Sequence, residues 1–246
     1  MTKEPKKIAI VGTSPRTKMD APYNDPTWEL WGLNHAYLFM ERIDRCFEIH
    51  DLTQTDESVR MNDEHREKLK ALACPVYTQT EYDWLPNSTP YPLSDILQEF
   101  QTNYFNNSVA YMVALAIYEN ATEIAVYGVD MAARSEYGNQ RPCCEYWLGL
   151  ARGRGIKVYL PDASDLCKVG ILYGFNIATS QRKLFKENRK LEMRTRIEGI
   201  NKEQAELMRT FNECKEKTDT AMAQGEVQKA LLTGCLEEML YEETQG

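Results

Sequence analysis

Histidine is scarce in this chain: the 246 residues hold three, at positions 35, 50 and 65, and none beyond. Chemistry that needs an imidazole base is confined to the N-terminal part. Seven cysteines stand at 46, 74, 143, 144, 167, 214 and 235, but never as Cys-x-x-Cys, and no histidine lies close enough to complete a zinc set. An odd, scattered set of this kind reads as reduced thiols packed as small apolar residues, with the adjacent pair Cys143–Cys144 as the one arrangement a redox role would use. No apolar run approaches the roughly 20 residues that cross a bilayer, and the segment Met1–Lys7 is polar and lysine-rich, without the apolar centre of a secretory signal. The expected location is the cytosol. Acidic side chains outnumber basic ones 37 to 29, for a formal charge of −8, which argues against a generic nucleic-acid coat and leaves room only for a local basic patch. With 43% hydrophobic and 27% charged residues, the chain can bury a sizeable core, so disorder as the dominant state is excluded.

What the sequence does contain is alternation. Residues 1–168 pass from short β-like runs to helix-like stretches and back, a pattern that forces parallel strands joined by helical crossovers. Lys7–Val11, Trp28–Leu33, Arg45–Ile49, Pro75–Thr78, Glu123–Gly128 and Ile156–Leu160 read as strands, with Glu123–Gly128 expected in the interior of the sheet. Asp56–Ala73 carries apolar residues at helical spacing. Asn107–Tyr118 is apolar on nearly every side, as a buried helix is, and Glu145–Arg154 reads as the last crossover helix, stopped by Gly153 and Gly155. The expectation is an α/β, Rossmann-like, mostly parallel sheet in residues 1–180 that binds a nucleotide, followed by a C-terminal helical extension in 181–246.

From Gln181 onward strand signals vanish and proline is absent. Met193, Ile197, Ile200, Gln204, Leu207, Phe211, Cys214 and Thr218 recur at alternating spacings of four and three, a heptad-like stripe interrupted by polar members. Such a helix either is solvated against its own domain or carries homo-oligomerisation. Gly225 is expected to break it, leaving a short final helix with Val227, Leu231, Cys235 and Met239. Arg182, Lys183, Lys186, Arg189, Lys190, Arg194 and Arg196 face only Glu187 and Glu192, so the segment 182–196 is either an ordinary helix surface or a contact for a polyanion such as nucleic acid.

In an open parallel sheet, ligands bind outside the carboxyl ends of the strands, and the notable polar residues fall there. Gly12-Thr13-Ser14-Pro15 supplies a tight turn, backbone N–H groups and two hydroxyls suited to phosphate. It lacks both the Gly-Lys-Ser/Thr ending of a Walker loop and the three-glycine dinucleotide fingerprint. Asn34 after the second strand offers a paired donor and acceptor for a base or ribose, or else caps the segment that follows. His50-Asp51 at the third strand tip is a candidate general base or a plain loop. Asn106-Asn107-Ser108 is placed to cap the buried helix, whose N–H groups also suit phosphate. Asp130 ends a strand where a carboxylate binds Mg²⁺ or a ribose hydroxyl. In the polar stretch Tyr137–Pro142, Tyr137 and Arg141 are candidates to hydrogen-bond or neutralise a leaving phosphate. Their convergence on one sheet edge points to a nucleotide-type ligand.

Gly12-Thr-Ser-Pro15 after a strand, Trp31-Gly-Leu-Asn34 after the next, Asn107-Ser-Val-Ala-Tyr-Met112 and Glu123-Ile-Ala-Val-Tyr-Gly-Val-Asp-Met131 together resemble the single-Rossmann bacterial sialyltransferases and their relatives, the motility accessory factors and pterin-pyrophosphokinase-like proteins. The whole chain also resembles proteins carried by tailed bacteriophages. The resemblance covers about residues 7–168 and implies a nucleotide or nucleotide sugar held by Gly12, Ser14, Asn34, Ser108 and Asp130. Those sialyltransferases place a catalytic histidine after the strand that here ends at Asp130, where this chain has none, so the base would be His50 or Glu145. The expected function is a nucleotide-sugar-dependent transferase; the alternatives are a non-catalytic nucleotide-binding protein and a Mg²⁺-dependent pyrophosphokinase-like enzyme.

Overall fold

The computed structural model describes residues 5–52, 63–131, 137–179 and 181–245. Seven short strands, β1 (Lys7–Val11), β2 (Trp28–Leu33), β3 (Arg45–Phe47), β4 (Val76–Thr78), β5 (Ser88–Pro90), β6 (Glu123–Tyr127) and β7 (Lys157–Tyr159), form one sheet in the order β5-β4-β3-β2-β1-β6-β7. Every pairing in it is parallel. The chain starts in the sheet interior, winds outward to β5, then returns to the other side of β1 with β6. Among the described residues four α-helices accompany it: α1 (Asp63–Lys70), α2 (Leu93–Phe100), α3 (Ser108–Tyr118) and α4 (Tyr137–Gly153). Parallel strands need crossovers, and α3 and α4 each lead within a few residues into β6 and β7. Their N-termini therefore lie at the carboxyl edge of the sheet.

An all-parallel sheet must be covered on both faces, and β1 shows how the sequence achieves it. Ile8 and Ile10 enter one core with Trp31, Phe47, Val126 and the apolar α3, whereas Ala9 and Val11 enter another with Leu30, Ala36 and Tyr127. A third cluster, Cys46, Leu52, Leu69 and Val76, lies under α1. The helix α3 is buried almost throughout because no side of it is polar. Asn107 caps it by accepting from the Ala110 N–H at 3.0 Å.

Besides α2, which the sequence reading did not contain, the structure differs from that reading in four places. The strand β5 is additional: Ser88-Thr-Pro90 has no strand-like pattern, and Pro90, which cannot donate to a ladder, is tolerated because β5 is an edge. The helix α4 begins at Tyr137, so the stretch Tyr137–Pro142 forms its first turns rather than a loop. Pro142 cannot donate to the turn before it, and the side-chain amides of Asn106 and Asn107 hold that turn by donating to the carbonyls of Asn139 and Gln140, at 2.8 and 3.2 Å. A small antiparallel hairpin, β8 (Ile171–Leu172) with β9 (Ile177–Ala178), turns through Gly174 and Asn176 at φ +80° and +54°. Finally, α5 (Gln181–Gln245) is one 65-residue helix and does not break at Gly225. A glycine inside a helix costs only about 1 kcal/mol relative to alanine, and the Leu-, Lys-, Ala- and Glu-rich residues on both sides outweigh it.

The chain divides into two compact units, Met1–Glu192 and Met193–Gly246. The second is helix alone, with Ile197, Ile200, Leu207 and Phe211 exposed. Among the described residues no helix is long and apolar enough to cross a membrane.

Candidate functional site

The strand order reverses between β1 and β6, and at their carboxyl ends two glycines meet. Gly12 donates to the Tyr127 carbonyl at 2.8 Å and Ser14 to the Gly128 carbonyl at 2.9 Å. A Cβ on Gly12 would lie 2.4 Å from the Gly128 oxygen, and one on Gly128, at φ +61°, would lie 2.3 Å from the Gly12 oxygen. Only glycine lets these backbones touch. The contact is locked by side chains: the Gly128 N–H donates to Thr17 Oγ1 at 2.8 Å, Thr17 Oγ1 reaches Asp130 Oδ1 at 3.5 Å, and Ser14 Oγ donates to Asp130 Oδ2. Burial pushes the Asp130 carboxyl above its ordinary value, partly offset by the Ser14 bond, the charge of Arg16 and Thr17. Thr13 sits exposed on the outside of the turn.

Both carboxylate oxygens of Asp130 face hydroxyls, and among the described residues no group of three His, Cys, Asp or Glu is placed to hold a metal ion.

At the end of β2, Asn34 takes a left-handed conformation (φ +50°) and its Oδ1 is buried with no hydrogen-bond partner. It makes no side-chain cap for the turn Asn34–Leu38. Beyond the end of β3, Glu48 is almost fully buried and collects the histidines. A hydrogen bond joins its Oε1 to His50 Nδ1, and its Oε2 lies 3.1 Å from His65 Nε2. His65 Nδ1 in turn lies 2.6 Å from the Tyr37 hydroxyl, and the His35 ring stacks on His65 at 4.2 Å. Burial alone would raise the Glu48 carboxyl, but the bonds and charges of His50 and His65 outweigh it and hold it at about 2. His65 is enclosed, whereas the His50 side chain is 46% exposed.

The residues of α3 and α4 divide differently. Asn107 is committed to the fold: its Oδ1 accepts from Ala110 N–H and Cys144 Sγ, and its amide donates to Asn106 and Gln140. Ser108 opens α3 at the carboxyl edge of the sheet. Arg141 donates to Glu145 at 2.8 Å and to the carbonyls of Asp165 and Lys168 at 2.6 and 2.9 Å. Glu145 also accepts from the Cys167 N–H at 2.7 Å. The pair thus fastens residues 165–168 to α4. The Tyr137 side chain lies outside the described residues. Cys143 and Cys144 are buried, with thiols directed at the Tyr104 carbonyl and Asn107, and burial pushes both upward in pKa, away from the thiolate a redox pair requires. In the basic segment, Glu187 faces both Arg16 and Lys183, at 3.8 and 4.0 Å.

No protein-family model and no curated protein matches the chain. Among solved structures it is similar to the sialyltransferase CstII from Campylobacter jejuni in complex with the substrate analogue CMP-3FNeuAc, at 17% identity and a TM-score of 0.44 over 66% of this chain and 80% of that one. It is also similar to thiamine pyrophosphokinase from Bacillus subtilis, at 15% identity and a TM-score of 0.39 over 63% and 60%. By their names one is a sialyltransferase and the other a pyrophosphokinase, the two kinds of protein that the sequence motifs resemble. Nothing in the comparisons bears on the phage likeness. A similarity at this level is one of fold and says nothing of ligand or reaction.

Sequence reasoning missed Glu48, Thr17 and Gly128 as members of these clusters. For Glu48 a signal was present: Glu48 and His50 stand two apart at a strand end, a spacing that puts both side chains on one face.

Proposed function

We propose that the chain is a nucleotide-sugar-dependent transferase whose nucleotide lies over the reversal between β1 and β6. The observation that carries this reading is the junction of Gly12 with Gly128 and of Ser14 with Asp130, which brings the two strand-end turns together where parallel sheets bind ligands. The Gly12–Ser14 turn and the start of α3 at Ser108 are assigned to phosphate, and Asn34 and Asp130 to base and ribose. The unpartnered Asn34 Oδ1 supports its part, because a buried acceptor without a donor costs free energy that a ligand N–H or O–H recovers.

His50 is the assigned base. Neighbouring strands stand about 4.8 Å apart, so the ends of β1 and β3, with β2 between them, are about 10 Å apart, room for a sugar. His50 takes the proton from an acceptor hydroxyl as that oxygen attacks the anomeric carbon. The bond to phosphate breaks, and the nucleotide leaves with its electron pair. Glu48 fixes the imidazole through Nδ1 and stabilises the imidazolium, as carboxylates do in other acid–base pairs. Glu145 and Arg141 are less suited to these roles, since both are engaged in holding residues 165–168.

The test is thermal-shift screening against CMP-, UDP- and GDP-sugars, followed by release of free nucleotide from the stabilising one. Stabilisation with release, the latter lost in His50→Gln, is expected. Stabilisation without release points to non-catalytic binding, and no stabilisation by any of them rejects the reading.

A further inference from the structure

The helix α5 carries its heptad pattern further than the stripe first visible in the sequence. Because it does not break at Gly225, the steps of four and three continue from Thr218 through Ala221, Gly225, Gln228, Leu232 and Cys235 to Met239 without a skip. All these positions are exposed within the second unit. A repeat that averages 3.5 residues specifies packing against another helix in a left-handed supercoil.

We infer that the partner is a second copy of the same helix, running antiparallel and centred near Glu216. In this register Phe211 faces Ala221, Leu207 faces Gly225, Ile200 faces Leu232, Ile197 faces Cys235, Gln204 faces Gln228 and Cys214 faces Thr218, each pair occurring twice by symmetry. Large side chains meet small ones, apolar meets apolar, and the two glutamines meet each other. Facing layers that alternate large with small fill space at native density. The parallel in-register pairing does the opposite: it sets Phe211 on Phe211 and then Gly225 on Gly225, a swollen layer followed by a hollow one. Shifting the antiparallel register by one heptad in either direction puts a glutamine against Ile197 or Phe211. Beside the seam, Met208 and Met222 of opposite copies face each other and widen the apolar strip; both are exposed in the single helix. Gly225 thereby acquires a reason, as the site over which Leu207 packs. The area is sufficient: a seam about 70 Å long and about 11 Å wide offers on the order of 800 Å² per helix, that of a standard stable interface.

The test uses the full chain. Light scattering is expected to give twice the 28.4 kDa of one chain, and mild oxidation reads the orientation. The antiparallel register places Ile197→Cys beside the native Cys235 of the other copy, and Thr218→Cys beside the native Cys214. It separates Cys235 from its own counterpart by about 57 Å. Covalent dimers linked 197–235 and 218–214, identified by peptide mass, are expected from the two variants, with no Cys235–Cys235 link in the parent. A monomeric mass, a larger assembly, a Cys235–Cys235 link, or no mixed link in either variant overturns the proposal.

Discussion

The hydroxyl of Ser14 donates to the carboxylate of Asp130, joining residues 116 positions apart at the place where the strand order reverses. Asp130 is buried there at a cost, since burial raises its carboxyl above the ordinary 3.8. The ionised form is penalised in the folded state. That penalty is absent below the ordinary value and fully in force above the raised one, so it lowers stability as pH rises. Asp130→Asn is expected to keep or raise the melting temperature at pH 7, with its advantage over the parent growing from pH 3 upward, while weakening nucleotide binding. Thermal melts across that range, with and without nucleotide, check both halves.

Glu48 has the opposite sign. Its carboxyl is held at about 2 against an ordinary 4.5, by His50 and His65 acting against burial. The stability it contributes is present above 4.5 and is lost as pH falls toward 2. Glu48→Gln is expected to flatten that acid limb in urea titrations. At pH 7 it is expected to cost about 1–3 kcal/mol, the usual scale for leaving buried hydrogen-bonding groups imperfectly paired.

The glycine contact predicts a sharp contrast. Gly12→Ala and Gly128→Ala each drive a methyl into backbone oxygen and are expected to destabilise by about 1–3 kcal/mol, the cost of overpacking. Gly138→Ala, on α4 with nothing within 4 Å of the new carbon, is expected to stabilise by up to about 1 kcal/mol. Denaturant unfolding of the three variants separates these outcomes.

Arg141 gives a test of structural against ligand contact. Because its guanidinium bonds the carbonyls of Asp165 and Lys168, Arg141→Ala is expected to lower the melting temperature by several degrees while leaving the nucleotide-induced shift intact. Loss of that shift at an unchanged melting temperature would instead place Arg141 at the phosphate.

The interior of the sheet was legible because β1, β2 and β6 are apolar and buried beyond their first residues, and α3 because no polar face interrupts it. The edge was not: Ser88-Thr-Pro90 becomes β5 only because Val76–Thr78 offers it a ladder, which no local pattern announces. The start of α4 was hidden by Gly138 and Pro142, local breakers overruled by the amides of Asn106 and Asn107 from a distant turn. At the candidate site, the strand-end position of Ser14, Asn34, His50 and Asp130 was readable. The clustering of His35, His50 and His65 about Glu48 was not, because it depends on α1 and β3 meeting in space. Likewise, Asn107 and Arg141 have residue types that suit a ligand, yet their atoms are taken up by helix and loop carbonyls.

The central claim, a nucleotide over the β1–β6 reversal, is tested most directly by mapping amide chemical-shift changes on the isotope-labelled chain during titration with the stabilising nucleotide sugar. The account predicts shifts concentrated at Gly12–Ser14, Asn34, Ser108 and Gly128–Asp130, abolished by Ser14→Ala together with Asp130→Asn. Changes confined to other surfaces, with those amides unmoved at saturation, would contradict it.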